Sequence, residues 1–253
     1  MENSIFQTIL FSDLDDTLIQ TKRKTDFTRN TIVAATNRQG ENSSYIYKET
    51  KDFLDGMIKQ GIELIPVTAR NLSAYKRTFM ENTYSPKYAV LNFGGTILVN
   101  GEVDMDWDEK IKKEYAHIPS FSMIKSQVVS RTSDLDVDIN VSIVDDFYIS
   151  VNSPTLKNDK KVLSFLKKTI KDIIEFYPSL HIYESDNSFA ILPNCISKRR
   201  GVEYLISKLE PTMTIGAGDN INDLSFMDCC TFKIIPTNSL VDNHLLRGKE
   251  STL

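Results

Sequence analysis

Cysteine is scarce in this chain and badly placed for bridges. The three, Cys195, Cys229 and Cys230, make an odd set with two of them adjacent. No disulfide framework suits that pattern, which points to reduced thiols and a cytoplasmic setting. Long apolar runs are missing as well. None approaches the roughly 18 residues a spanning helix needs, so no membrane partner is expected. The opening stretch MENSIFQTILF carries an acid and no base, unlike a secretory leader. There is no basic excess: 30 Lys and Arg against 34 Asp and Glu leave a formal net charge of −4. Nucleic-acid binding asks for a basic footprint, so no such partner is expected either. The three histidines, His117, His181 and His244, are scattered and have no metal-ligand spacing.

What is present is an ordinary globular composition, 41% hydrophobic and 25% charged over 253 residues, enough for one large or two modest domains. TILFSDLDD reads as a buried strand running into a polar loop. IYKETKDFLDGMIKQG has the helical period, with Phe53, Leu54, Met57 and Ile58 on one face and Gly61 at the end. IELIPVTAR is a second apolar strand, and NLSAYKRTFMEN is expected to be one helix. KYAVLNFGGTILVNGEVD gives strand, glycine turn, strand. Nearly continuous apolar strands alternating with helices imply a parallel sheet covered by helices.

The rhythm then changes. DLDVDINVSI alternates at period two, YISVNS, LHIYESD and FAILPN are further strands, and KKVLSFLKKTIKDIIEFY is an amphipathic helix. From SKRRGVEYLISKLE the α/β order returns through MTIGAGD, NDLSFMDCC and FKII. The expected fold class is therefore α/β: a Rossmann-like parallel-sheet core with helices on both faces, plus an inserted α+β domain with an antiparallel sheet. The core would take residues 1–88 and 194–253, the insert 89–193. Residues 20–48, including NTIVAATNRQGENSSYIY, read either as a β-hairpin or as a surface loop.

Three polar clusters follow strands of the core: Asp13, Asp15 and Thr17; Thr68 and Arg70; Asp219, Asn222 and Asp223. Ligands of open parallel sheets bind outside the carboxyl ends of the strands, where all three would converge. One of the pair Asp13 and Asp15 can attack phosphorus, forming an aspartyl-phosphate, while the other handles protons. Crowded carboxylates require a hard cation, and Mg²⁺ takes one or two of them together with phosphate oxygens; Asp219 is the best further ligand. Thr68 offers a hydroxyl and a backbone N–H at a helix start. Lys198 can neutralise charge on the phosphate and on Asp13.

DLDDTL, PVTAR, ISKRRGVEYL and GAGDNINDLSFM resemble, in order, the four motifs of the haloacid dehalogenase superfamily of phosphatases. The insert lies between the second and third motifs, as in the branch with a type-2 cap that includes Cof-type and sucrose-phosphate phosphatases. The resemblance implies that Asp13 is the nucleophile and Asp15 the general acid/base. It implies that Thr68 and Lys198, with Ala69, Arg70 and Asn222 beside them, bind the substrate, and that Asp13, Asp15 (through its carbonyl) and Asp219 hold Mg²⁺. Asp223 would orient Lys198 or a metal-bound water. The implied activity is Mg²⁺-dependent hydrolysis of a small phosphorylated metabolite, a sugar phosphate by preference, by a monomer or weak homodimer. A phosphomutase of the same superfamily and a non-enzymatic phospho-aspartate regulator are the alternatives.

Two departures stand out. Asp16 occupies a position where glycine is common in the family, a change expected to be tolerated. The interval between Asp13 and Thr68 is longer than the family pattern, and the surplus, residues 20–48, could form a flap over the site. Other features read as structural. IGAGDN is not a dinucleotide fingerprint, because Ile221 stands where the third glycine would be. An EF-hand starting at Asp13 fails at Leu18 and Lys24. Asn92 and Gly94 read as a turn or a substrate contact. Arg70 meets substrate or makes a surface ion pair, Asp134, Asp136 and Asp138 form a solvated strand face or serve a cation or cap closure, and the lysines from Lys157 to Lys171 solvate a helix.

Overall fold

The computed structural model describes residues 7–115, 117–133, 135, 137–153, 160–185 and 188–250. Along the chain, β1 (Thr8–Ser12) runs through a tight loop into β2 (Gln20–Thr21), β3 (Thr31–Thr36) and β4 (Asn42–Tyr47). Then come α1 (Lys48–Lys59), β5 (Glu63–Pro66), the single turn α2 (Leu72–Tyr75), a wide helical turn at Met80–Tyr84, β6 (Tyr88–Leu91), β7 (Thr96–Val99) and β8 (Glu102–Val103). α3 (Met105–Tyr115), α4 (Phe121–Thr132), β9 (Asn140–Val144), β10 (Tyr148–Asn152), α5 (Lys160–Ile174), β11 (Leu180–Ser185) and β12 (Ser188–Pro193) follow. α6 (Lys198–Leu209), β13 (Met213–Ala217), α7 (Leu224–Met227), β14 (Phe232–Ile234) and α8 (Leu240–Glu250) complete the order.

The chain forms two compact units. One takes residues up to Asp108 and those from Ser197 onward; the other is Glu109–Ile196. In the first, the order β14-β13-β1-β5 is parallel throughout. β6 continues it through a parallel bridge between Val67 and Val90, then turns back antiparallel to β7. Leu10 and Leu64 face Leu54, Met57 and Ile58 of α1. On the opposite face α6 and α7 come close: a Cβ on Gly201 would press on Val90, and one on Gly216 would press on Met227. This is the α/β core expected from the alternating elements.

The first unit reaches beyond residue 88, where the change of sequence character suggested a break. The reason lies in the NFGG turn. Asn92, Phe93 and Gly94 all have positive φ, and a side chain on Gly94 would collide with the carbonyl of Ser197. The Trp107 indole donates to the Gly94 carbonyl at 3.0 Å. The turn is thereby packed against the start of α6 and belongs with it.

The second unit carries the antiparallel order β11-β12-β10-β9. Its own core joins Ile124 and Val128 of α4 and Leu166, Ile170 and Ile173 of α5 to Ile149, Val151, Phe189 and Ile191 of the sheet. The exposed lysines Lys161, Lys168 and Lys171 lie along α5, as a solvated helix face requires. The acidic strand face is corrected in part. Asp138 is exposed and precedes β9, which starts at Asn140, while Asp134, Asp136 and Lys157 lie outside the described residues.

Of the two readings of residues 20–48 the hairpin is the right one, since β3 and β4 pair antiparallel around residues 37–41; β2 adds a third strand to give the sheet β2-β4-β3. It also explains why the helix expected over NLSAYKRTFMEN breaks. Ala35 bridges to Thr78, and the Arg77 carbonyl accepts from Thr36 N at 3.2 Å. A backbone that pairs with a strand at 77–78 cannot continue the i→i−4 ladder of α2.

Candidate active site

β1 delivers Asp13 at its carboxyl end, still zipped to β13 by a bond from Asp13 N to Ala217 O of 2.9 Å. The chain then coils tightly. Leu14 O accepts from Leu18 N and Ile19 N, both at 3.0 Å, which turns Thr17 back over the strand end. The Thr17 hydroxyl lies 3.2 Å from Asp13 Oδ2 and 3.2 Å from Asp219 Oδ1. β13 ends in GAGD, where a Cβ on Gly218 would overlap the Asp223 side chain. Asn220 and Asp223 cap the following turn reciprocally: Asn220 Oδ1 accepts from Asn222 N at 3.0 Å and Asp223 Oδ2 accepts from Asn220 N at 3.1 Å.

α6 begins at Lys198, its N-terminus capped by Ser197 through Arg200 N. The Lys198 ammonium donates to Asp13 Oδ1 and Asp223 Oδ1, both at 2.7 Å, with all three side chains buried. Oxygens of Asp13, Asp219 and Asp223 lie within 4.8 Å of one another. Burial raises the Asp13 carboxyl well above its ordinary range, and Lys198 pulls it down against the push of Asp223 and Asp219. Asp219 is raised to about 6, by burial first, then by Asp223 and Asp16, with Lys24 and Lys198 opposing. Within this cluster three carboxylates face one ammonium, an imbalance that a divalent cation would correct. The donor set is all hard oxygen, which suits Mg²⁺, Mn²⁺ or Ca²⁺ rather than a softer metal. The residues present thus fit a divalent ion.

The other expected residues divide. Thr68 is buried at the end of the strand next to β1, but two features differ from expectation. Its N–H donates to Val90 O at 2.8 Å, so its hydroxyl, which accepts from Arg70 N at 3.1 Å, is the group left to meet an anion. The N-cap of α2 is Asn71, which accepts from Ala74 N. Ala69 is half-buried between Thr68 and Arg70. Arg70 is engaged by Asp15: its Nε and a terminal nitrogen each donate to a different oxygen of Asp15 at 2.7 Å. The Asp15 side chain therefore stands outside the three-carboxylate group. Asn222 turns its amide to Asn220 Oδ1 at 2.8 Å. Asn92 is buried, its amide nitrogen on Thr96. Sequence reasoning gave no role to Asp16 or Ser44, although both touch the site's supports: Asp16 pairs with Lys24 at 2.7 Å and Ser44 lies 3.4 Å from Arg70.

The family model for sucrose-6F-phosphate phosphohydrolase matches residues 6–247. The chain belongs to that family. It is a capped phosphatase of the haloacid dehalogenase superfamily, a phosphoric monoester hydrolase. No curated protein sequence matches. Among solved structures, the sucrose-phosphatase of Synechocystis sp. PCC6803, determined with sucrose and phosphate, is 14% identical with a TM-score of 0.59, covering 96% of this chain and 97% of its own. A trehalose-6-phosphate phosphatase related protein is 13% identical at a TM-score of 0.56 over 96% and 97%. The subclass IIB sugar phosphatase BT4131 is 15% identical at 0.54 over 95% and 99%. These likenesses establish the shared fold. Among the described residues no helix is long and apolar enough to cross a membrane.

Proposed function

We propose that the chain is a Mg²⁺-dependent sugar-phosphate phosphatase working through a phosphorylated Asp13. The observation that carries this reading is the buried grouping of Asp13, Asp219 and Asp223 around Lys198 at the carboxyl end of the parallel sheet. Asp13, Asp219 and the carbonyl of Asp15 would hold Mg²⁺, which when bound neutralises the carboxylates and draws charge from the phosphoryl oxygens. Asp13 attacks phosphorus and the bond to the ester oxygen breaks. Asp15 gives that oxygen its proton, then takes one from the water that attacks the phosphorylated Asp13. Lys198 and the Thr68 hydroxyl bind the phosphoryl oxygens, Asp223 fixes Lys198, and Thr17 orients Asp13. The second unit, Glu109–Ile196, would select the leaving group. A sugar is favoured because the matched family and the structural neighbours named above act on sugar phosphates by their descriptions.

The test is a panel of sugar phosphates with Mg²⁺, scored for free phosphate, together with acid quenching of the reaction. Asp13→Asn is expected to release no phosphate and to trap no phosphoenzyme. Isomerised sugar phosphate without free phosphate would instead identify a mutase.

A further inference from the structure

We infer that the inserted sheet β2-β4-β3 is a positioning element for the Asp15 carboxyl, acting through Asp16 and Arg70; this rests on the phosphatase reading and extends it. The geometry is a closed ring. Asp16 has φ 64, a conformation glycine adopts with least strain, so its side chain needs another reason to be there. Asp16 Oδ1 accepts from the backbone N–H of Thr21 at 3.3 Å and from its hydroxyl at 3.2 Å. The other oxygen pairs with Lys24 at 2.7 Å. Lys24 is itself set by a turn, its N–H donating to Thr21 O at 2.8 Å. Thr21 pairs across the sheet with Ser44. Ser44, 2% exposed, meets the Arg70 guanidinium, and Arg70 grips Asp15 with two bonds of 2.7 Å. The chain bond from Asp15 to Asp16 closes the ring.

The far edge of the sheet is anchored independently, through the Ala35–Thr78 bridge and the Thr36–Arg77 bond. The sheet β2-β4-β3 is thus fastened at both edges, and Asp15 and its Arg70 partner are links of the ring at one of them. An acid/base group gains rate only while held within hydrogen-bond reach of the proton it moves. The consequence is selective. A sugar alkoxide cannot leave without a proton, so its departure depends on Asp15. A p-nitrophenolate leaves as a stable anion and does not.

Asp16→Gly tests this, because glycine suits φ 64 while the tie to Thr21 and Lys24 is cut. Because Asp16 also bears on Asp219, the assay is run at saturating Mg²⁺, where the expected result is a folded protein whose kcat/KM for a hexose 6-phosphate falls about tenfold, with kcat/KM for p-nitrophenyl phosphate nearly unchanged. Arg70→Lys should retain more of the sugar-phosphate activity than Arg70→Met. Equal losses on both esters, or no loss on either, would overturn the positioning role. Wild-type protein inert towards both esters would overturn the phosphatase reading instead. The ring is then judged by amide hydrogen exchange: faster exchange over residues 16–21 in Asp16→Gly supports it, and unchanged exchange rejects it.

Discussion

Lys198 is hydrogen-bonded to two buried carboxylates at once, with its side chain 4% exposed. Lys198→Met would leave Asp13 and Asp223 buried without their cation. Breaking a buried pair in this way costs about 3–5 kcal/mol, to be read from urea unfolding in EDTA, and phosphatase activity should vanish with it. Asp219 sets a pH dependence of a definite sign. Its pKa is raised from 3.8 to about 6 in the folded chain, so between those values the native state binds more protons than the unfolded one. Stability in EDTA should therefore fall as pH rises from about 4 to about 6. The gain in Tm on adding Mg²⁺ should grow over the same window, because the cation favours the ionised form; a flat profile in EDTA would count against this environment for Asp219. The acids and Lys198 were legible from sequence because each sits at a strand end or helix start. The grip of Arg70 on Asp15 was not, because both oxygens of that contact depend on side-chain rotamers.

Among the elements, α6 and the NFGG turn depend on each other. A Cβ at Gly94 would run into the Ser197 carbonyl at the N-terminus of α6 and would also have to adopt φ +99. Gly94→Ala should destabilise by about 1–3 kcal/mol and displace Lys198, lowering kcat as well as the urea midpoint. The amphipathic α5 was readable from periodicity, while of the alternating stretch DLDVDINVSI only the part from Asn140 lies in β9. α4 gives a weaker signal: Ile124, Val128 and Thr132 repeat every four residues on its buried side, but its remaining positions mix apolar and polar types. The failed helix after Asn71 has a tertiary cause: pairing with β3 at residues 77–78 overrides local propensity, and no local signal reports it. The inserted sheet was half visible, since the β3–β4 turn around NRQGEN was marked by its composition but β2, two residues long, was not.

For the whole molecule, the division into a parallel-sheet unit and an antiparallel one was legible because a buried parallel strand is apolar throughout while a one-faced strand alternates. Their limits were less so. The sequence changes character near residue 88, yet the first unit continues to Asp108, held there by Gly94, Trp107 and the start of α6. The account depends most on carboxylates at positions 13 and 219, from opposite ends of the chain, sharing one cation. Calorimetric titration of Mg²⁺ into the metal-free protein tests this directly. The account predicts one site per chain, lost in Asp219→Asn while that variant remains folded and is more stable than the parent in EDTA. Unchanged Mg²⁺ binding in Asp219→Asn and Asp13→Asn, or no binding by the wild type, would contradict it.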